Sequence, residues 1–448
     1  MSDLKIGYAR VDATPPLGID IAGYFVKRLA EGVLDPIEVV AVAIKNGDSS
    51  ALMITVDNCF IPTPIAKDWR ETVSGATGTS EDAIFLHATH THQGPVLAKQ
   101  HKNPIVTEYL SMLTKKVRDA AVMALADLKG AHMGIGEGEA RNVAFVRRYR
   151  MKDGSAKTNP GVNNPDIVAP IGDTDERVGV VRFERECGDS IVIVNFANHP
   201  DVVGGNLLSA DWPGLTRRMV EKCIDGTKCI FFNGAQGDVN HVNVHPKAGD
   251  FNDMFNDFDG CSRGYGHARH IARVVTAAVM SVYDKVEWQD NDELAYTARI
   301  IEINSNKADP KDLPLAHKYH ELHVSGRDDE IPFEAMMLTT VVAEAARMVR
   351  LENAPDAFPM RFSALSIGEV AFFGIPGEPF TGVGRGIKEA KGWKMVLPCC
   401  CLGGYEGYFP MKDSYDEGGY EARSSNYKKG SAERIIEAGL EILGDLKA

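Results

Sequence analysis

Short apolar runs punctuate the chain, and most of them end in a polar loop. The runs at 39–44, 51–56, 83–87, 131–137, 178–183, 190–196, 229–232, 294–303 and 394–401 predict β-strands, and 362–373 predicts a hairpin turning at Ile367-Gly368. Longer stretches with apolar positions three and four apart predict helices at 64–73, 106–128, 212–223, 260–282, 333–351 and 431–443, and another from 379 to 390. Interleaved strands and helices predict an α/β fold, with mixed β-sheets flanked by helices. Residues 149–175 are rich in Gly, Pro, Asn and Asp and show neither period, which predicts a long loop. A loop of that length inside a compact unit is more often functional than idle. No repeat, low-complexity tract or linker interrupts the chain, so 1–448 reads as a single catalytic domain with its site on loops at strand ends.

Four of the polar loops carry the chemistry. They hold His90 and His92 (IFLHATHTHQGP, 84–95), His199 (NHP, 198–200), Asp238 and Asn240 (NGAQGDVN, 233–240) and Glu378 (GEPF, 377–380). A fifth, 403–420, is rich in tyrosine. Loops beyond strand C-termini are where open α/β sheets assemble sites. HP or GEP alone is weak evidence. The T-H-T-H pair is stronger, because in an extended segment both rings would point to one face. Imidazole and carboxylate are good zinc ligands, and a catalytic zinc keeps a position open for water, whose pKa then falls to about 7. A second histidine nearby can take the proton. Asp57-Asn58-Cys59, after another strand, is a candidate lining of the same site.

Composition narrows the partners. Lys and Arg number 49 against 62 Asp and Glu, a net charge of −13. That balance argues against nucleic acid and against a polybasic membrane anchor. With 448 residues and 44% hydrophobic positions the chain can build a core without a metal staple, so a metal here would serve chemistry. Eight cysteines without a C-x-x-C pair read as free thiols. The N-terminus has no apolar signal region, and no run of about twenty apolar residues occurs. The expectation from these features is a cytoplasmic protein, and they say nothing else about its substrate.

Taken in order, THTHQGP, NHP, NGAQGDVN, GEPF and YEGYFPMKDSYDEGGYEA (405–422), with the opening GYARVDATPP, resemble the neutral, non-lysosomal ceramidase family. The resemblance implies an amide hydrolase with one zinc ion per chain, held by His90, His199, Glu378 and Tyr408. It implies His92 as general base or proton shuttle, Tyr420 as the group polarising the scissile carbonyl, and an arginine, Arg147 or Arg148, beside it. Where the family has a serine, this chain has Asn240. Asn cannot form a covalent acyl intermediate, which favours metal-activated water, with Asn240 as a hydrogen-bond donor to substrate. The family's C-terminal immunoglobulin-like domain and its secretion signal have no counterpart here, so a smaller and more polar substrate than ceramide is expected. Asp238 and Asp211 are expected to accept from the outer ring nitrogens of His90 and His199.

Alternatives stay open at this point. The same pocket would serve an isomerase, lyase or phosphoesterase, an ester or lactone in place of an amide, or a binding protein that keeps the metal loops. Nitrogen and oxygen ligands also accept divalent ions other than zinc. Three further signals read as structure. HKYHELH (317–323) lacks the H-E-x-x-H spacing and reads as an exposed helix. GVGRGIKEAKG (382–392) lacks the G-K-[ST] of a phosphate loop. Cys399–Cys401 reads as a core strand with alternating faces.

Overall fold

The computed structural model describes residues 3–247 and 254–447. Its centre is a nine-stranded mixed sheet. Eight strands run in the order Thr227–Asn233, Ser190–Phe196, Arg177–Arg185, Lys129–Glu139, Leu4–Asp12, Glu38–Asn46, Ser49–Val56, Ile84–Ala88, and Glu287–Trp288 pairs with Lys129–Glu139. A second sheet joins Leu294–Asn304, Ala357–Ile367, Val370–Gly374 and Met395–Cys399.

The strand Glu38–Asn46 shows why the sequence folds this way. Val39 and Ala41 pack into a cluster with the helices Thr63–Thr77 and Pro104–Ala126, while Val40 and Val42 pack toward Leu365, Ile367 and Phe372 of the second sheet. Both faces are covered, so the strand reads as a continuous apolar run rather than an alternating one. The other half of the sheet is covered by Asp211–Cys223 and Tyr265–Tyr283, and the outer face of the second sheet by Thr381–Lys388 and Ser431–Lys447. The layers are therefore helix, sheet, sheet, helix: the α/β fold with mixed sheets flanked by helices that the interleaved pattern predicts.

Within the two main sheets three strand pairs are parallel and bridged by helices: Ser49–Val56 with Ile84–Ala88, Ser190–Phe196 with Thr227–Asn233, and Val370–Gly374 with Met395–Cys399. Parallel neighbours share their C-terminal ends, so the loops bearing His90, His199 and Glu378 emerge on sheet ends that face one another. Two helices, Leu313–Val324 and Ala335–Leu351, are inserted between Leu294–Asn304 and Ala357–Ile367. Among the described residues no helix is long and apolar enough to cross a membrane.

Several expectations need correction. Residues 149–175 are not one loop: Arg148–Met151, Ala156–Thr158 and Ile167–Pro170 form a small antiparallel sheet. Strands this short leave too few positions for a period to show. Leu4–Asp12, with Leu4 and Ile6 buried and Lys5 exposed between them, is a central strand that the prediction omits. The predicted helices at 260 and 333 begin at Tyr265 and Ala335, and the last cysteine strand stops at Cys399, with Cys401 turned to φ 46°.

Candidate metal centre

His90 leaves the strand Ile84–Ala88 in a left-handed conformation, φ 71°. This is a strained state for a residue with a Cβ. It replaces the extended segment expected for T-H-T-H: the kink, not strand alternation, brings the two rings together, 5.0 Å apart and edge to face. His90 N–H donates to Asn58 O at 2.9 Å and His92 N–H to Pro200 O at 3.1 Å, which ties this loop to the loops bearing Cys59 and His199.

Three donor atoms converge where these loops meet. His90 Nε2 lies 3.2 Å from His199 Nε2 and 3.2 Å from Glu378 Oε2, and His199 Nε2 lies 3.6 Å from the same oxygen. All three side chains are buried. Ligand atoms about 2.0–2.2 Å from a tetrahedral ion sit about 3.3–3.6 Å apart. The spacing therefore suits one small cation. Among the described residues, the buried Glu378 Oε2 meets no hydrogen-bond donor other than the two facing imidazoles, which leaves a lone pair free for such an ion. The other oxygen, Oε1, accepts from Tyr405 O–H at 2.6 Å. His92 Nε2 is 3.3 Å from His90 Nε2, but His92 falls in a separate grouping with Cys59 and His90, not with His199 and Glu378.

The outer ring nitrogens face backbone carbonyls. His90 Nδ1 lies 2.6 Å from Cys59 O, and His199 Nδ1 3.5 Å from Gln236 O. Asp238 and Asp211 do not meet the rings as expected. Asp238 accepts from Thr381 N and Oγ1 at 2.7 and 3.0 Å, and Asp211 from Val202 N and Val203 N at 3.0 and 2.9 Å. Each pins the chain beside a candidate ligand, Glu378 or His199, rather than the ligand's side chain. Cys401 Sγ touches His90 Nδ1 at 3.5 Å, so this cysteine is part of the site's floor, not merely core.

Tyr408 is placed by strand pairing. Glu378–Pro379 runs parallel to Tyr408–Phe409 with Glu378 opposite Tyr408, so the two side chains project from one face. Tyr420 meets Tyr408 edge to face, ring centroids 5.6 Å apart. The Arg147 guanidinium stands 5.4 Å from the Tyr408 ring centre, and its Nε is 2.7 Å from the fully buried Glu421 carboxylate. His92, Arg147, His199, Tyr408 and Tyr420 line one inner chamber of about 40 Å³. An outer chamber of about 550 Å³ shares Asn159, Asp259, Met336 and Tyr420 with it.

Two candidates do not reach this cavity. Arg148 donates instead to Ser414 Oγ at 2.8 Å, Glu417 Oε2 at 3.1 Å and Gly418 O at 3.0 Å. As Arg147's chain neighbour it faces the other way. Asn240 donates to Asn159 Oδ1 at 2.9 Å and accepts from Val242 N at 3.0 Å. Its amide is spent on holding Asn159, which is the residue that lines the chamber. The prediction also passed over Tyr405, Cys401, Tyr24, Asp201 and Arg263. Tyr405 lay inside the tyrosine-rich motif, Tyr24 in an AGY that also resembles the family's N-terminus, Cys401 in a run read as core, and Asp201 directly after NHP; Arg263 carried no signal.

Charge follows the geometry. Burial opposes a charge on His90, but Glu378 and Cys401 outweigh it and raise the imidazole well above its ordinary value. Burial likewise opposes ionisation of Glu378, yet His90 and its other partners hold it well below the carboxylate range. Burial, with Arg147 nearby, pushes His199 well below the ordinary imidazole value, and burial takes His92 down to about 3. Burial and Glu378 push the Tyr408 phenol well above its usual value, with Arg147 working against them. A divalent cation among these groups would favour neutral imidazoles, carboxylate and a phenolate together.

Fold and site together define a class: a four-layer α/β protein with a buried pair of imidazoles and a carboxylate where parallel strand pairs end. Among solved structures, the neutral ceramidase of Pseudomonas aeruginosa matches with TM-score 0.73 at 15% identity, covering 100% of this chain and 75% of that one. A ceramidase complexed with C2 matches with TM-score 0.71 at 16% identity, covering 100% and 76%. This chain therefore has a ceramidase-like fold. No family model and no curated protein sequence matches it.

Proposed function

We propose that the protein is a metal-dependent hydrolase that cleaves an amide bond in a small molecule, as a divergent relative of the neutral ceramidases. The observation that carries this is the convergence of His90 Nε2, His199 Nε2 and Glu378 Oε2 within 3.2–3.6 Å of one another, beside a cavity lined by His92, Arg147, His199, Tyr408 and Tyr420. His90, His199, Glu378 and Tyr408 would hold one zinc ion. When bound, the ion supplies Lewis acidity toward the carbonyl and activation of water.

The protein's own groups do the rest. His92, beside the cluster but outside its three-atom grouping, takes a proton from the water that attacks and returns it to the departing amine. Tyr420 and Arg147, both beside the Tyr408 ring, steady negative charge developing on the carbonyl oxygen. Glu421 keeps Arg147 extended toward the cavity. The outer chamber takes the variable part of the substrate, with Met336 and Tyr420 at the junction.

Metal content of protein purified without a histidine tag, followed by assay on amides, esters and lactones, tests the reading. His90→Ala and His199→Ala are expected to lose metal. His92→Ala is expected to keep it and lose turnover by about 10²–10⁴-fold, the scale of a general acid–base group. A protein that takes up no divalent ion and turns over none of the panel with zinc added would end the proposal.

A further inference from the structure

The mechanism leaves one buried group next to His92 without a role. Asp201, two residues after His199, lies with its Oδ1 3.7 Å from His92 Nδ1. Among the described residues that ring nitrogen is buried and has no hydrogen-bond partner. At 3.7 Å the contact is electrostatic rather than a hydrogen bond. It still decides the tautomer: an N–H facing a carboxylate oxygen is attracted, whereas a bare lone pair there would be repelled.

Everything around Asp201 fixes that carboxylate in place. Arg263 donates from Nε to Oδ1 at 2.9 Å and from Nη2 to Oδ2 at 2.8 Å. Tyr24 O–H donates to Oδ1 as well. Arg263 is held in turn by both oxygens of Asp259, at 2.7 and 2.9 Å. The same segment clamps His92 itself. Arg28 Nη2 donates to His92 O at 2.7 Å, and Tyr24 packs on the imidazole with ring centroids 5.1 Å apart. Gly23, at φ +102°, lies so close that an added Cβ would sit 2.7 Å from His92 Cγ. The ring cannot tilt toward Gly23, so its Nδ1 edge stays at Asp201 and its Nε2 edge stays toward His90.

We propose that Asp201 is the positioning residue of the site: it fixes His92 as the Nδ1–H tautomer, so that a bare Nε2 faces the His90–His199–Glu378 cluster. The kinetic consequence rests on the hydrolase reading above; the tautomer does not. Nitrogen-15 histidine labelling with long-range proton–nitrogen spectra reads the tautomer directly, with and without added zinc, and the His92 signal is the one lost in His92→Gln. The expected result is Nδ1–H in the wild type. Asp201→Ala is expected to lose that preference and to lower kcat about 10–100-fold, the scale of losing a partner that orients a histidine, with KM within about twofold and bound metal unchanged. Asp201→Asn keeps an oxygen opposite Tyr24 and Arg263, and is expected to retain the tautomer and recover most of the turnover. Should Asp201→Ala not fold, the wild-type and Asp201→Asn spectra decide. A wild-type His92 protonated on Nε2, or an Asp201→Ala protein with wild-type tautomer and kcat, overturns the proposal. A wild type that hydrolyses nothing would sink the hydrolase reading and leave the tautomer result standing on its own.

Discussion

Two of the regions that gather histidines among the described residues do opposite things with them. The helix Leu313–Val324 carries His317, His320 and His323 at regular spacing. His317 is about half exposed and pairs with Glu352 at 2.9 Å, and His323 pairs with Asp328 at 2.8 Å. The centre gathers His90, His92 and His199 from loops far apart in sequence, with ring centroids 4.8–5.2 Å apart. In the helix, His317 and His323 each turn a ring nitrogen to a neighbouring carboxylate. In the centre, His90 and His199 turn their outer nitrogens toward carbonyls and leave the inner ones facing Glu378. Convergence of uncommitted lone pairs, not density of histidine along the chain, makes a cation site.

His87 provides the hardest test of that distinction. It is fully buried, three residues before His90, yet its Nε2 accepts from Asn233 N–H at 3.1 Å. By this argument it binds no metal and matters for stability alone. Burial pushes His87 down to about 3, against about 6.5 in the unfolded chain. The unfolded chain therefore binds the extra proton between those values. The stability from keeping His87 neutral is complete above about pH 6.5 and is lost as pH falls toward 3, by at most about 1.4 kcal/mol per pH unit. Urea unfolding across pH 7 to 4 should show a flatter acid limb for His87→Gln than for the wild type, with metal content unchanged. Loss of metal from His87→Gln would erase the line drawn between a committed and an uncommitted ring.

The same contrast explains what the sequence could disclose. His90, His199 and Glu378 were legible because each sits in a short motif at the end of an apolar strand, and strand ends are where α/β sheets collect sites. Their partners were not legible, because they are fixed by tertiary register. Glu378 Oε1 takes the Tyr405 hydroxyl, and His90 Nδ1 meets the Cys59 carbonyl across neighbouring strand ends. Asp211 and Asp238 looked like partners of the rings because they are acidic and sit on the loops that carry the site; folded, they hold backbone instead. The small sheet within 149–175 was missed because its strands are too short to carry a period, and Arg147 could not be told from Arg148 until one faced the cavity.

Tyr405 gives a smaller and more local test. Its hydroxyl donates to Glu378 Oε1 at 2.6 Å, and its ring stacks on Phe60 with centroids 4.4 Å apart. Tyr405→Phe should keep the ring in place and remove only the bond that orients the carboxylate. Affinity for zinc, measured by competition with a chelator, is expected to fall about 10–100-fold. Unchanged affinity would mean that strand pairing alone sets the direction of Glu378.

The smallest effect is expected on the other side of the comparison. Replacing both His317 and His323 with Ala removes two histidine–carboxylate contacts near the protein surface, where water screens them. Exposed pairs contribute about 0–1 kcal/mol each, so the shift in urea midpoint should be slight. Zinc stoichiometry and turnover should match the wild type, because neither ring lines the inner chamber and both have spent a nitrogen on a carboxylate. If the double variant instead binds less metal, the helix holds an ion of its own, and regular spacing on one face would have to be read as a site after all. If stoichiometry holds while His90→Ala loses its metal, the difference lies in how the rings are committed, since both regions are equally rich in the residue.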